Sequence, residues 1–211
     1  NAPADIRDPR FFGYRARLAL AVGRVDDATA DIGRALQLAP NDANALSLQA
    51  IIAIVQNDKD RALAIAEKNI AANPTSASAR IALSYAQQAR FDLPGARASV
   101  EKAVELDPQN ALAFARLAEL SSSFGDFDAT FAAAQKAVAL DPNLARTQTV
   151  LGFAYLVQVK TAEARAAFDR AIVLDQADPL PRLGLGLSKI RDGRLDEGGR
   201  DIEIAASLDP T

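Results

Sequence analysis

The stretch Ala96-Arg-Ala-Ser-Val-Glu-Lys-Ala-Val-Glu-Leu-Asp-Pro108 decides the fold, because altered copies of it return in phase along the whole chain. Its closing proline has counterparts at Pro40, Pro74, Pro142 and Pro210, each a whole number of 34-residue steps away, and Gln176 occupies the remaining step. A unit of that length holds two short helices and two turns, and one such pair cannot bury its apolar side alone. Stacking pair on pair buries it, so the register predicts an all-α solenoid.

Composition agrees and excludes much else. Apolar residues make up 49% of the chain but aromatics only 6%, with alanine abundant, which favours many closely packed helices over one bulky core. A net charge of -3 with both signs scattered offers no basic stripe for nucleic acid and no polybasic membrane anchor. There is no cysteine and no histidine, which removes disulfides, thiolate nucleophiles, imidazole bases and the usual zinc, copper and iron ligands together. The expectation is a protein with no enzymatic activity, cofactor or metal. The longest apolar run, residues 50–55, is far below the roughly 20 residues of a spanning helix. A soluble protein of the bacterial cytoplasm or periplasm is expected, the alanine and arginine usage suggesting a GC-rich genome.

Taken in order, Asn1-Ala2 reads as a tag remnant. Residues 4–9 repeat the spacing of residues 174–179, so residues 1–8 carry the tail of a preceding unit. Six units follow as one array over 9–211: 9–42, 43–76, 77–110, 111–144, 145–178 and 179–211. Helices are predicted near 10–22 and 26–38, 44–56 and 59–72, and 78–90 and 93–106. Asp8 before Pro9 and Asp92 before Leu93-Pro94 are helix starts, since proline in a first turn loses no hydrogen bond. Asn57-Asp58 and Gly125-Asp126 are turns between paired helices. Gly198-Gly199 inside a helix makes the sixth unit the softest, and both ends read as cut from a longer protein.

Within the fifth unit, Leu151-Gly152 with Tyr155 is followed by Ala164, Phe168 and Ala171; the fourth repeats this with Leu117-Ala118, Ala134 and Ala137. This pattern resembles the tetratricopeptide repeat family, and the resemblance covers all six units. It departs at the family's tryptophan, replaced by Phe12, Leu46, Arg80, Phe114, Gln148 and Arg182. The resemblance implies a right-handed superhelix of antiparallel helix pairs whose first helices line a concave groove, faced by the second, fifth, sixth, ninth, twelfth and thirteenth residues of each unit. It also implies a non-catalytic scaffold for protein-protein interaction. The alternatives are a regulatory or scaffolding domain of a larger enzyme or export machine, or a self-assembling array.

Ninth positions carry Arg17, Ile51, Tyr85, Glu119, Phe153 and Leu187, and fifth positions Gly13, Ser47, Ile81, Ala115, Thr149 and Leu183. These do not match the lysine and asparagine clamp of chaperone-binding members, and Asn44 alone supplies an amide among the groove positions. The candidate groove is therefore apolar, from Ile51, Ile54, Val55, Ile81, Tyr85, Phe153, Val157, Leu183 and Leu187, with Arg116, Glu119 and Arg146 as charged members. Such a strip marks a binding surface. The expected partner is a protein or peptide segment with apolar side chains and acidic flanks, anchored by Tyr85 and Phe153 and steered by Arg116 and Arg146.

Other motifs have plainer readings. Gly184-Leu-Gly186 follows no strand and lacks the third glycine of a dinucleotide loop. Asp58 with Asp60, and Asp126 with Asp128, sit where carboxylates cap helices. Ser121 to Ser123 have no histidine to activate them. Arg97 with Glu101, and Arg165 with Asp169, have the spacing of surface ion pairs.

Overall fold

The computed structural model describes residues 7–208; the tag remnant, most of the preceding-unit tail and Pro210 lie outside the described residues. The chain divides into two compact units, Asn1–Pro108 and Gln109–Thr211. Unit 1 contains α1 (Pro9–Ala21), α2 (Val25–Leu38), α3 (Ala43–Val55), α4 (Lys59–Ala72), α5 (Ala77–Ala89) and α6 (Leu93–Leu106). Unit 2 contains α7 (Ala111–Ser123), α8 (Phe127–Leu140), α9 (Ala145–Val157), α10 (Thr161–Leu174), α11 (Pro179–Arg191) and α12 (Leu195–Leu208). The six predicted helices fall within one residue of their observed bounds.

Short polar side chains start most of these helices. Asp8 accepts from the Arg10 amide at 2.9 Å with Pro9 in the first turn, and Asp92 accepts from Gly95 at 2.9 Å, so Pro94 opens α6 without breaking it. Asp58 and Asp126 likewise cap α4 and α8, accepting from Arg61 and Ala129.

The turn inside each pair is one backbone device repeated six times. The fifteenth residue of every repeat has a left-handed φ: Gly23, Asn57, Phe91, Gly125, Val159 and Gly193, between 58° and 80°. The next amide then reaches back to the carbonyl five residues earlier, from Arg24 to Ala19 at 2.8 Å and from Lys160 to Tyr155 at 3.0 Å. That bond satisfies an orphan carbonyl at the helix end, which makes the turn worth forming even with an unfavourable side chain. A β-branched residue in this region is strained by about 1–2 kcal/mol. Val159→Gly is therefore expected to stabilise unit 2 by about 1 kcal/mol after allowing for the floppier unfolded chain. Phe91→Gly should gain less, because it surrenders the Lys59 ammonium held 5.4 Å from the ring centroid, a contact worth about 0.5–1 kcal/mol at an exposed site. Urea titration of both variants checks the order; a loss of stability in Val159→Gly would refute it.

Within each unit, successive pairs stack through the second helix of one and the first of the next, α2 on α3 and α4 on α5, then α8 on α9 and α10 on α11. Within each unit first helices also touch one another, α1 on α3 on α5 and α7 on α9 on α11, whereas among the described residues the second helices of neighbouring pairs in the same unit do not. First helices consequently form the inner face of each unit. Alanines at the crossing points, Ala28, Ala62, Ala96 and Ala164, are fully buried and let the paired backbones approach.

The tryptophan-replacing position is put to different uses. Phe12 and Leu46 are buried apolar side chains, while Gln148 is buried and donates to the Pro142 carbonyl at 2.8 Å. Fully buried Asn69 donates to the Ala43 carbonyl at 2.9 Å and to the Ser47 hydroxyl at 3.0 Å, so its amide is not left unsatisfied. Arg97 and Glu101 pair at 2.9 Å as expected, but Arg165 does not pair with Asp169: it bonds Asp192 in the turn after α11. A partner on the next repeat is already oriented by Thr161, which donates to the same carboxylate at 2.7 Å. No helix among the described residues is long and apolar enough to cross a membrane.

Candidate functional site

A cleft of about 330 Å³ lies on the inner face of unit 2. Helix α7 contributes Ala118, Glu119 and Ser122, helix α9 contributes Arg146, Thr149, Val150, Phe153 and Val157, and Leu180 from α11 closes one side. Residues three and four apart on a helix share a face, so Arg146, Thr149, Val150, Phe153 and Val157 form one continuous stripe of α9. Phe153 is half-buried, its ring meeting the fully buried Phe168 edge to face with centroids 5.0 Å apart. The core thus fixes the orientation of the largest apolar side chain in the cleft.

One wall is charged. Arg146 donates from Nε to Glu119 Oε1 at 2.7 Å, and Arg116 donates from Nη1 to Glu119 Oε2 at 3.1 Å. Two guanidinium groups therefore share one carboxylate. Nearby Asp178 caps α11 by accepting from the Leu180 amide at 3.0 Å. Burial pushes its carboxyl above the usual range, and Asp175 and Glu119 add to that, while the Leu180 hydrogen bond and Arg146 oppose it.

Four of the twelve residues singled out from sequence, Glu119, Arg146, Phe153 and Val157, meet in this cleft. Leu183 is half-buried and Leu187 39% exposed on α11 of the same unit. Arg116 requires a correction: it is 3% exposed and holds Glu119 from beneath, so it is not a rim charge. The remaining five belong to unit 1. Ile54 packs into the alanine-rich cluster around Ala50 and Ala66, Ile51, Ile81 and Tyr85 are half-buried, and Val55 is exposed. Val150 and Leu180 were not singled out from sequence, although they occupy sixth and second positions where a groove residue is expected. A smaller depression of about 180 Å³ on the inner face of unit 1 holds Arg10, Gly13, Tyr14 and Arg17 of α1 against Asn44 and Leu48 of α3.

A sequence profile described as tetratricopeptide repeat matches residues 15–77. By sequence, no curated protein matches the chain. Among solved structures, TTC0263, a thermophilic TPR protein of Thermus thermophilus, aligns at 21% identity with a TM-score of 0.73, covering 86% of this chain and 99% of its own. PilF of Pseudomonas aeruginosa aligns at 15% identity and a TM-score of 0.65, over 96% of this chain and 92% of its own. YrrB, described as a TPR protein with an unusual peptide-binding site, aligns at 18% identity and a TM-score of 0.53, over 85% of this chain and 92% of its own. Similarity at these identities concerns the fold.

Proposed function

We propose that this chain, a tetratricopeptide repeat protein, is a non-catalytic scaffold that takes a protein or peptide segment on the inner, first-helix faces of its units. The observation that carries this reading is the unit 2 cleft, in which a core-braced Phe153 and the apolar Val150, Val157 and Leu180 stand beside an arginine-carboxylate pair. An apolar side chain of the partner fills the space against Phe153 and Val157, and an acidic neighbour competes with Glu119 for Arg146. Tyr85, with Ile51, Ile81 and Val55, is the corresponding anchor on unit 1, and Leu183 and Leu187 extend the surface along α11. Peptide binding by YrrB, an array of the same fold, is in keeping with this reading.

Fluorescence anisotropy with a library of leucine-containing, aspartate-flanked peptides supplies the test. For a peptide that binds, Phe153→Ala should weaken affinity by about 2 kcal/mol, roughly 30-fold, through faster release. Arg146→Ala should chiefly slow association and flatten its salt dependence. Melting curves of Phe153→Ala and Phe153→Leu run alongside separate lost contact from lost folding. If affinity ignored Phe153 and Arg146 but fell on mutating the outer-face Arg97, the inner face would not be the binding site.

A further inference from the structure

We infer that the segment taken on the inner face of unit 2 crosses its first helices in the polyproline II conformation and carries the pattern apolar-x-x-acidic-x-x-apolar. This rests on the peptide-binding reading above and names the class of segment that the face selects. The second residues of the repeats carry it. In unit 2 these are Leu112, Arg146 and Leu180, one on each of α7, α9 and α11. Leu112 is 48% and Leu180 40% exposed, and the partly exposed Arg146 belongs to the repeat between them. The fold does not ask for leucine here, since in unit 1 the same position holds Arg10, Asn44 and Ser78. Single exposed leucines are ordinary, but two in equivalent places on either side of an arginine make a row of alternating chemistry.

Spacing along the row selects the backbone of the ligand. Packed helices lie about 8–10 Å apart, and α7 touches α9 as α9 touches α11, so equivalent residues on these first helices recur at about that distance. A polyproline II segment rises about 3.1 Å per residue with three residues per turn, which returns a side chain to the same face about every 9.3 Å. Residues one, four and seven of such a segment therefore meet the three repeats in turn. A β-strand alternates its side chains, so its residues one and four point to opposite faces. It would also need a sheet edge to pair with, whereas helices bond their own backbone groups. An α-helix rises only about 1.5 Å per residue and is about 10–12 Å wide with its side chains, so it takes seven residues to cover the same distance and a single turn exceeds the cleft of about 330 Å³.

Charge sets the middle residue. A carboxylate at residue four is placed for Arg146, which donates to Glu119 at 2.7 Å until the ligand enters. Arg116 is buried against the same carboxylate at 3.1 Å, so Glu119 keeps a cationic partner when Arg146 turns outward and no buried charge is stranded. Residues one and seven cover Leu112 and Leu180, and the apolar residue beside the acid lies against Phe153 and Val157. The pattern reads the same in both chain directions.

Three labelled peptides tested by fluorescence anisotropy on the wild-type chain decide it. Each carries one aspartate, a leucine beside it and two outer leucines, placed two, three or seven residues from the aspartate, with alanine elsewhere. The peptide with three-residue spacing should bind at least about tenfold tighter than the other two. Proline at its residues two and six, which fixes the conformation in advance, should tighten it by a further factor of about three. Leu112→Ser and Leu180→Ser, at exposed positions where circular dichroism should be unchanged, should each weaken it about fivefold and be silent against a peptide whose matching outer leucine is alanine. Tighter binding at either other spacing, equal affinity for all three, or loss of binding on adding proline would overturn the inference, while continued dependence on Phe153 and Arg146 would leave the peptide-binding reading standing. If no peptide bound, or binding ignored Phe153 and Arg146, that reading would fall and this inference with it.

Discussion

Replacing Phe168 by alanine should destabilise unit 2 by about 3–5 kcal/mol, the range for removing a fully buried aromatic ring. The ring is 0% exposed and its surroundings are shaped to it. A methyl group on Gly152 would come within 2.5 Å of the ring, and one on Gly184 within 2.2 Å, so two first helices have given up their side chains to admit it. Because those glycines carry nothing that could swing into the space, the cavity should persist and the cost should lie toward the upper end. Urea unfolding of wild type and Phe168→Ala measures it, with the midpoint falling and the slope unchanged for a loss of packing alone. Gly184→Ala should be severely destabilising by itself yet nearly harmless on the Phe168→Ala background, where the methyl enters the vacated space. That non-additivity is the signature of contact. If the two losses simply added, the ring would not be packed on Gly184. Phe153 loses its edge-to-face support in the same variant; on the proposed function, affinity for a peptide should then fall together with stability.

The two adjacent glycines of α12 should respond in opposite directions. A Cβ on Gly198 would stand 2.6 Å from the Gly186 carbonyl oxygen and 3.1 Å from the Ile190 amide nitrogen, both backbone atoms that cannot turn aside. Gly198→Ala must therefore push α11 and α12 apart, at a cost of about 3 kcal/mol, the upper end for overpacking. Gly199 faces open space, and a methyl group there would meet nothing within 4 Å, so Gly199→Ala should stabilise the helix by up to about 1 kcal/mol. Thermal melts in dilute solution compare the pair. Similar shifts of the same sign would mean that the α11–α12 contact is looser than this spacing.

Local signals were legible in the chain because they act over a few residues. Asp8, Asp58, Asp92 and Asp126 announce helix starts through their own side-chain hydrogen bonds, and the proline phase sets the spacing, so helix bounds follow to within one residue. The left-handed turn residue is visible as Gly23, Gly125 and Gly193, but Phe91 and Val159 conceal the same conformation, since there the backbone hydrogen bond outweighs side-chain preference. Gly198 and Gly199 are identical to a propensity argument and differ only in what lies opposite them.

By itself the sequence determined the all-helical repeat architecture and the starts of its helices, because periodicity and capping are carried within one repeat. Tertiary structure alone decided the fate of the charges. Glu119 and Arg146 are 27 residues apart and meet only because α7 and α9 stack, and that meeting holds Arg146 at the cleft wall, while Arg116 is buried against the same carboxylate. Arg165 similarly finds Asp192 on the next repeat in preference to Asp169 on its own helix. A long cationic side chain takes whichever carboxylate is nearest and already oriented, and only the stacking of one repeat on another sets that distance.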